Sequence, residues 1–186
     1  MAEIIFLHGA SSSGKSTIAR ALQARIEKPF WHISIDHLRE SGVLPLTRFC
    51  KGDFDWRMSR AAFFHGFHMS LGAYANAGNN LILEHILEGE GWIELLQTLF
   101  RPHDVFFVAV HCPLNVLIDR EAKRGDRPKG SAKHDYETIH VGRCYDMALN
   151  GDDDLDTNID RLLTAWRRGE RSSDFAATQS DQMDGG

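Results

Sequence analysis

Short, continuously apolar runs alternate with stretches of helical spacing from Glu3 to Arg168. The run Ile4 to Leu7 reads as a buried strand. A glycine-containing loop follows it, then Ile18, Ala21, Leu22 and Ile26 at the spacing of one helix face. Phe30 to Ile35 alternates as a second strand ending at Asp36, and His37 to Ser41 makes a short helix stopped by Gly42. Pro45, Gly52 and mixed polar residues make Val43 to Phe54 a long loop. A long helix is predicted from about Asp55 to Ala77, carrying Trp56, Phe63, Phe64, Phe67 and Leu71 and ending at Gly78. Asn80 to Glu84 is a third strand, Trp92 to Phe100 a helix, and Asp104 to Val110 the most apolar strand. Pro113 suits the first turn of a helix running to about Lys123. Beyond it come an Arg/Gly/Lys-rich segment (Arg124 to Lys133), a helix from Asp135 to about Gly142, a strand at Tyr145 to Leu149 and an amphipathic helix from Leu155 to Arg168. Residues 169–186 carry little that forms a core and read as a disordered tail.

Strands that stay apolar on both faces and alternate with helices predict a mainly parallel sheet covered on both sides. The expected architecture is α/β, one three-layer domain over residues 1–168 with about five strands, its ligands gathered at the carboxyl ends of those strands.

The loop between the first strand and helix reads Gly9-Ala10-Ser11-Ser12-Ser13-Gly14-Lys15-Ser16, which fits G-x-x-x-x-G-K-[ST] at every fixed position. The glycines permit a loop whose amides approach a polyphosphate, and the positive end of the following helix adds to the attraction. Gly9 to Thr17 are therefore the expected nucleotide contacts, with Lys15 reaching the terminal phosphates and Ser16 ligating a magnesium ion.

Other candidates follow from where strands end. Asp36 falls on the rim of the phosphate loop. Two readings stand for it: a carboxylate that accepts the proton of an acceptor hydroxyl, or a helix N-cap. Glu84 closes the third strand on that rim, placed to orient magnesium or to face the substrate. Glu88, Asp53 and Phe54 are further substrate-site candidates. An acidic acceptor site favouring amines results if the loops carrying these residues and Asp55 and Glu90 converge. In R-E-A-K-R-G-D-R, Arg120 and Arg124 share a helix face and Arg127 lies in the loop beyond. Together they suit a lid over about residues 120–133 that stabilises charge on a transferring phosphoryl group. His65 and His68, three apart on the long helix, read as packing or surface residues rather than zinc ligands.

The chain has 186 residues and a net charge of -5, with a pI near 6.0. That balance disfavours a nucleic-acid or anionic-membrane binder, and no run of apolar residues approaches the length of a membrane span. Three widely spaced cysteines without metal-like spacing read as free thiols of a reducing, cytoplasmic setting.

Several of these motifs together resemble the chloramphenicol phosphotransferase family of small P-loop kinases. The likeness rests on G-A-S-S-S-G-K-S at Gly9 to Ser16 and I-D-H-L at Ile35 to Leu38. It continues in V-H-C at Val110 to Cys112, R-E-x-x-R-G-D-R at Arg120 to Arg127 with Gly130 and Ala132 beyond, and H-x-G-x-x-Y-D at His140 to Asp146. The resemblance implies a P-loop kinase fold and ATP- and Mg2+-dependent phosphoryl transfer to a hydroxyl of a small molecule. Asp36 would be the general base, and Lys15, Ser16 and the lid arginines the phosphate and magnesium contacts. An antibiotic is the type of acceptor implied. Chloramphenicol itself is not expected, because Glu84-His85 stands where the antibiotic kinase is similar to Asp-Asp and the segment Val43 to Trp56 does not match. Zeta-toxin-like sugar-nucleotide kinases and gluconate or shikimate kinases are the alternatives, and a nucleotide-dependent switch module is the rival class.

Overall fold

The structure is a computed structural model that describes residues 1–124 and 130–176, the side chain of Arg124 excepted. Its centre is a five-stranded sheet in the order β2-β3-β1-β4-β5. The strands are β1 (Glu3–His8), β2 (Phe30–Ser34), β3 (Asn80–His85), β4 (Asp104–His111) and β5 (Met147–Asn150), and every pairing is parallel. Alternation along β1 divides the core. Ile5 and Leu7 pack with Ile82, Phe106 and Val108 beneath α1 (Lys15–Arg25) and α8 (Leu155–Arg168). Ile4 and Phe6 pack with Leu81, Leu83 and Phe107 beneath α4 (Trp56–Asn76) and α5 (Trp92–Phe100). Both faces are thus covered, which is why the strand sequences are continuously apolar. The register sets Leu7 opposite Glu84 and Val108, and Ser34 opposite Glu84, so the strand ends share one rim.

Three connections differ from the pattern read along the chain. The segment Val43 to Phe54 is not loop throughout, since α3 (Leu46–Cys50) forms within it, after α2 (Ile35–Glu40). The helix α7 spans Ser131–Thr138 and so begins ahead of the predicted Asp135. Its start is fixed from a distance: the Glu121 carboxylate, on α6 (Leu114–Arg124), accepts from the Ser131 hydroxyl (2.6 Å) and the Ala132 amide (2.9 Å). Much of the expected lid is therefore helical, at Arg120–Arg124 and Ser131–Lys133.

The third difference is the tail, where residues 169–176 are part of the fold. Arg171 makes a two-pronged ion pair with Asp104 (2.8 and 2.9 Å), and Asp146 accepts from the amides of Ser172 and Ser173 (2.6 and 3.0 Å). Phe175 is 2% exposed, its ring against Phe6, Phe100 and Phe107. One buried aromatic ring contributes about 1.5–3 kcal/mol, which adds to the ion pair and the two amide hydrogen bonds in holding a segment whose own composition is polar. Residues 177–186, the remainder of the predicted tail, lie outside the described residues.

Candidate active site

The phosphate loop leaves β1 at Gly9 and is shaped by contacts that only small residues permit. A Cβ on Gly9 would lie 2.3 Å from the Val110 carbonyl oxygen, and Gly14 holds a φ of +100°, where it starts α1. Ser12 takes a positive φ of 65°. Against the loop lies the turn after β5, so close that a Cβ on Gly151 would meet the Ser13 carbonyl oxygen at 1.7 Å. Arg120 ties these parts together, donating to the carbonyls of Ser12 (3.3 Å) and Gly151 (3.4 Å) and pairing with Asp152 (2.9 Å). From the other side, the buried Asp135 carboxylate on α7 accepts the Ser11 amide at 3.1 Å.

Lys15 is buried, and its ammonium donates to the carbonyls of Gly9 (2.8 Å) and Ala10 (2.7 Å). The hydroxyl oxygens of Ser11 and Ser13 are buried with no hydrogen-bond partner among the described residues. Orphaned hydroxyls, a folded-back ammonium and a helix N-terminus in one concavity fit a polyphosphate that would satisfy all three. Ser16 donates to Glu84 Oε2 (2.7 Å), and His32 Nε2 lies 2.9 Å from Glu84 Oε1. Burial pushes the Glu84 pKa up, but the hydrogen bonds from His32 and Ser16 and the charge of Lys15 outweigh it. The net shift is downward, so Glu84 is an anion at neutral pH. A serine hydroxyl beside an ionised carboxylate fits the hard, oxygen-seeking Mg2+ ion.

Asp36 lies in the first turn of α2, where the cap is Ser34, whose hydroxyl accepts the Asp36 amide. The N-cap reading of Asp36 is therefore corrected: a neighbour performs that task. Its carboxylate lies 3.4 Å from Arg39 and lines the same cleft of about 1070 Å3 as Lys15, Ser16 and Glu84. Trp56, Phe63 and Phe64 also line the cleft, with Arg60 laid over the Phe64 ring at 4.8 Å and paired to Glu88 at 2.6 Å.

The model of the "Chloramphenicol phosphotransferase-like protein" family matches residues 2–165. The chain belongs to that family. A Mycobacterium tuberculosis protein named "Putative O-phosphotransferase" is 25% identical over 167 residues, covering 80% of this chain and 74% of its own. Among solved structures, the M. tuberculosis APS kinase in complex with AMPPNP and APS aligns with a TM-score of 0.64 at 17% identity, over 89% of this chain and 98% of its own. A gluconokinase from Sinorhizobium meliloti 1021 aligns with a TM-score of 0.63 at 17% identity, over 90% and 92%. These likenesses show the P-loop kinase fold, and this member of the chloramphenicol phosphotransferase-like family is a kinase that uses a nucleotide and a small-molecule acceptor.

Its cleft brings Asp36, Glu84, Glu88 and residues Ser11 to Thr17 together with Arg120. Two substrate-site candidates are placed elsewhere: Arg48 bonds Asp53 (3.1 Å) and covers the Phe54 ring (4.0 Å), and neither residue is among those lining the cleft. The convergent acidic site is corrected with them. Asp55 is spent capping α4, Glu88 is matched by Arg60 and Asp36 by Arg39. Arg120 needs no closing flap to reach the phosphate loop, since it already bonds its backbone. The Arg124 side chain and Arg127 lie outside the described residues. In this kinase the features missed in the sequence are Gly151, Asp135 and Arg60, none of which belongs to a spaced motif. The H-x-G-x-x-Y-D segment proves structural. The Tyr145 hydroxyl bridges His8 Nδ1 (2.9 Å) and His140 Nδ1 (2.7 Å) under the phosphate loop, and Asp146 pins the tail.

Buried imidazoles run through the site. His68 and His85 meet Nε2 to Nε2 at 2.9 Å, a contact that requires one ring to donate and the other to accept. Burial lowers the pKa of both, His68 to about 4. Burial with the neighbouring His111 lowers His140 to about 4, and His8 is driven well below 6.5. These groups take protons when the chain unfolds but not while folded. Stability is therefore complete above about 6.5 and is lost as pH falls from there toward about 4. Thermal unfolding followed from pH 7.5 to 4 should show a continuous fall in Tm below pH 6.5. A Tm flat to pH 4.5 contradicts the neutral pairs.

Proposed function

We propose that this kinase transfers the γ-phosphoryl group of ATP, with Mg2+, to a hydroxyl of a small molecule of antibiotic type. The observation that carries the reading is Asp36 on the wall of the cleft that holds Lys15, Ser16 and Glu84. Asp36 accepts the proton of the acceptor hydroxyl as its oxygen bonds to phosphorus, and the bond to the departing ADP breaks. Lys15 exchanges the Gly9 and Ala10 carbonyls for phosphate oxygens, and Arg120 keeps the loop in shape. Ser16 and Glu84 would hold Mg2+, which when bound would supply charge neutralisation on the phosphates. Positioning and electrostatics account for the rate, since phosphoryl transfer asks little covalent chemistry of the protein.

Trp56, Phe63 and Phe64 suit an acceptor with an apolar or planar body, and the paired charges Arg60–Glu88 suit polar substituents at its edge. The Glu84-His85 pair at the end of β3 continues to disfavour chloramphenicol itself. The deciding experiment is a screen of hydroxylated antibiotics, sugars and sugar nucleotides with ATP·Mg, read by mass spectrometry. A product heavier by one phosphoryl group and acceptor-stimulated ADP release are expected with an antibiotic-type compound. Phosphorylation of sugar nucleotides alone favours the alternative metabolite or toxin-type kinase. ATP hydrolysis that no acceptor stimulates favours a switch.

A further inference from the structure

Beside the magnesium residues lies a second donor set. His32 on β2, His37 on α2 and Glu84 on β3 each present one ligand atom, all within 4.8 Å of one another. His32 Nε2 and Glu84 Oε1 already stand 2.9 Å apart, and their side chains are 7% and 5% exposed. The His37 ring meets the His32 ring edge-on with centroids at 4.6 Å. The middle of β2, the start of α2 and the end of β3 thus place two imidazoles and a carboxylate together. The sheet register contributes directly, since His32 is opposite Ile82 and Ser34 opposite Glu84 on the face toward α1.

We infer that His32, His37 and Glu84 form a binding site for a first-row transition divalent cation such as Zn2+ or Co2+, adjacent to the magnesium position at Ser16 and sharing Glu84 with it. The donor chemistry sets this choice. Mg2+ prefers six oxygens and keeps several waters, whereas imidazole nitrogens favour the borderline ions. Two donors on a tetrahedral zinc ion sit about 3.3 Å apart. The His32–Glu84 pair is already within that span, and only the exposed ring of His37 has to turn. The cation takes the place of the proton between His32 and Oε1. Oε2 retains its bond from Ser16, which orients the carboxylate as an outer partner of the site. His37 and Glu84 both line the cleft, so the site opens on solvent and a metal ion can enter. If the reading of Ser16 and Glu84 as magnesium residues holds, a cation here draws on the same carboxylate, and micromolar Zn2+ should oppose the magnesium-supported reaction.

The test is a titration of the full chain, free of nucleotide and acceptor, with Co2+ followed by its visible absorption, and with Zn2+ followed by competition against a chromophoric chelator. The wild-type chain is expected to bind a single Co2+ ion with the intense absorption of a four- or five-coordinate site. His37→Ala and His37→Gln change an exposed residue. Each should weaken binding at least by the roughly 10–100-fold that loss of an outer partner costs, with unchanged circular dichroism. His65→Ala, at an exposed histidine on α4 that is not one of the three donors, should bind as the wild type does. Equal affinity in wild type and both His37 variants, or loss of the tight site in His65→Ala instead, overturns the proposal. So does a wild-type spectrum with only the pale bands of the hydrated ion. Because no phosphoryl transfer is measured, the outcome is independent of whether the kinase reading stands.

Discussion

A Gly151→Ala chain is expected to fold and to bind ATP some 10–100-fold more weakly than the wild type. The added methyl would be placed 1.7 Å from the Ser13 carbonyl oxygen and 3.4 Å from a Val110 methyl, so the phosphate loop or the turn after β5 has to move. Overpacking of this kind costs about 1–3 kcal/mol, and here the strain falls on the loop whose amides must converge on phosphate. Arg120 cannot absorb it, because its guanidinium is already bonded to both the Ser12 and Gly151 carbonyls. Calorimetric titration with a non-hydrolysable ATP analogue reads the effect directly. Wild-type affinity in the variant would show that the close packing of turn and loop has no part in nucleotide binding.

Asp36→Asn should separate binding from chemistry. The amide keeps the shape of the carboxylate, and the Arg39 contact it weakens is a partly exposed pair of little energetic weight. ATP affinity is therefore expected to stay within about threefold, while loss of the proton acceptor lowers kcat by roughly 10²–10⁴-fold. The measurement is single-turnover formation of phosphorylated product, with nucleotide affinity determined on the same preparation. An asparagine variant that transfers phosphate at the wild-type rate removes Asp36 from the chemistry.

The strand, loop and helix of the phosphate-loop motif were legible in the sequence because they are local. A strand, eight residues of loop and a helix are contiguous, and each fixed position of the phosphate loop answers to its own backbone need. The placement of Asp36 and Glu84 on the cleft was legible for a related reason, since the end of each buried strand must reach the same rim of a parallel sheet. The acceptor side was harder to read. Asp53 and Phe54 precede a long helix just as a substrate loop does, but Arg48, five residues from Asp53, engages both of them on the α3 side. Asp135 and Gly151 meet the phosphate loop only through tertiary packing across 124 and 138 residues of chain, respectively, and nothing near either residue announces it. The helical start at Ser131 has the same origin, a cap supplied by Glu121 from the other side of the lid.

Composition speaks of averages, whereas one buried ring, one two-pronged ion pair and one carboxylate that accepts two amides are what tie residues 169–176 to the sheet. The family match ends at residue 165, yet the aromatic floor beneath β1 and β4 is completed by Phe175. Cutting the gene at the family boundary would open a benzene-sized hole under the strand that carries the phosphate loop. It would also leave Asp104 and Asp146 without the partners that Arg171, Ser172 and Ser173 supply. The packed unit of this kinase thus extends past the family match, as far as Phe175.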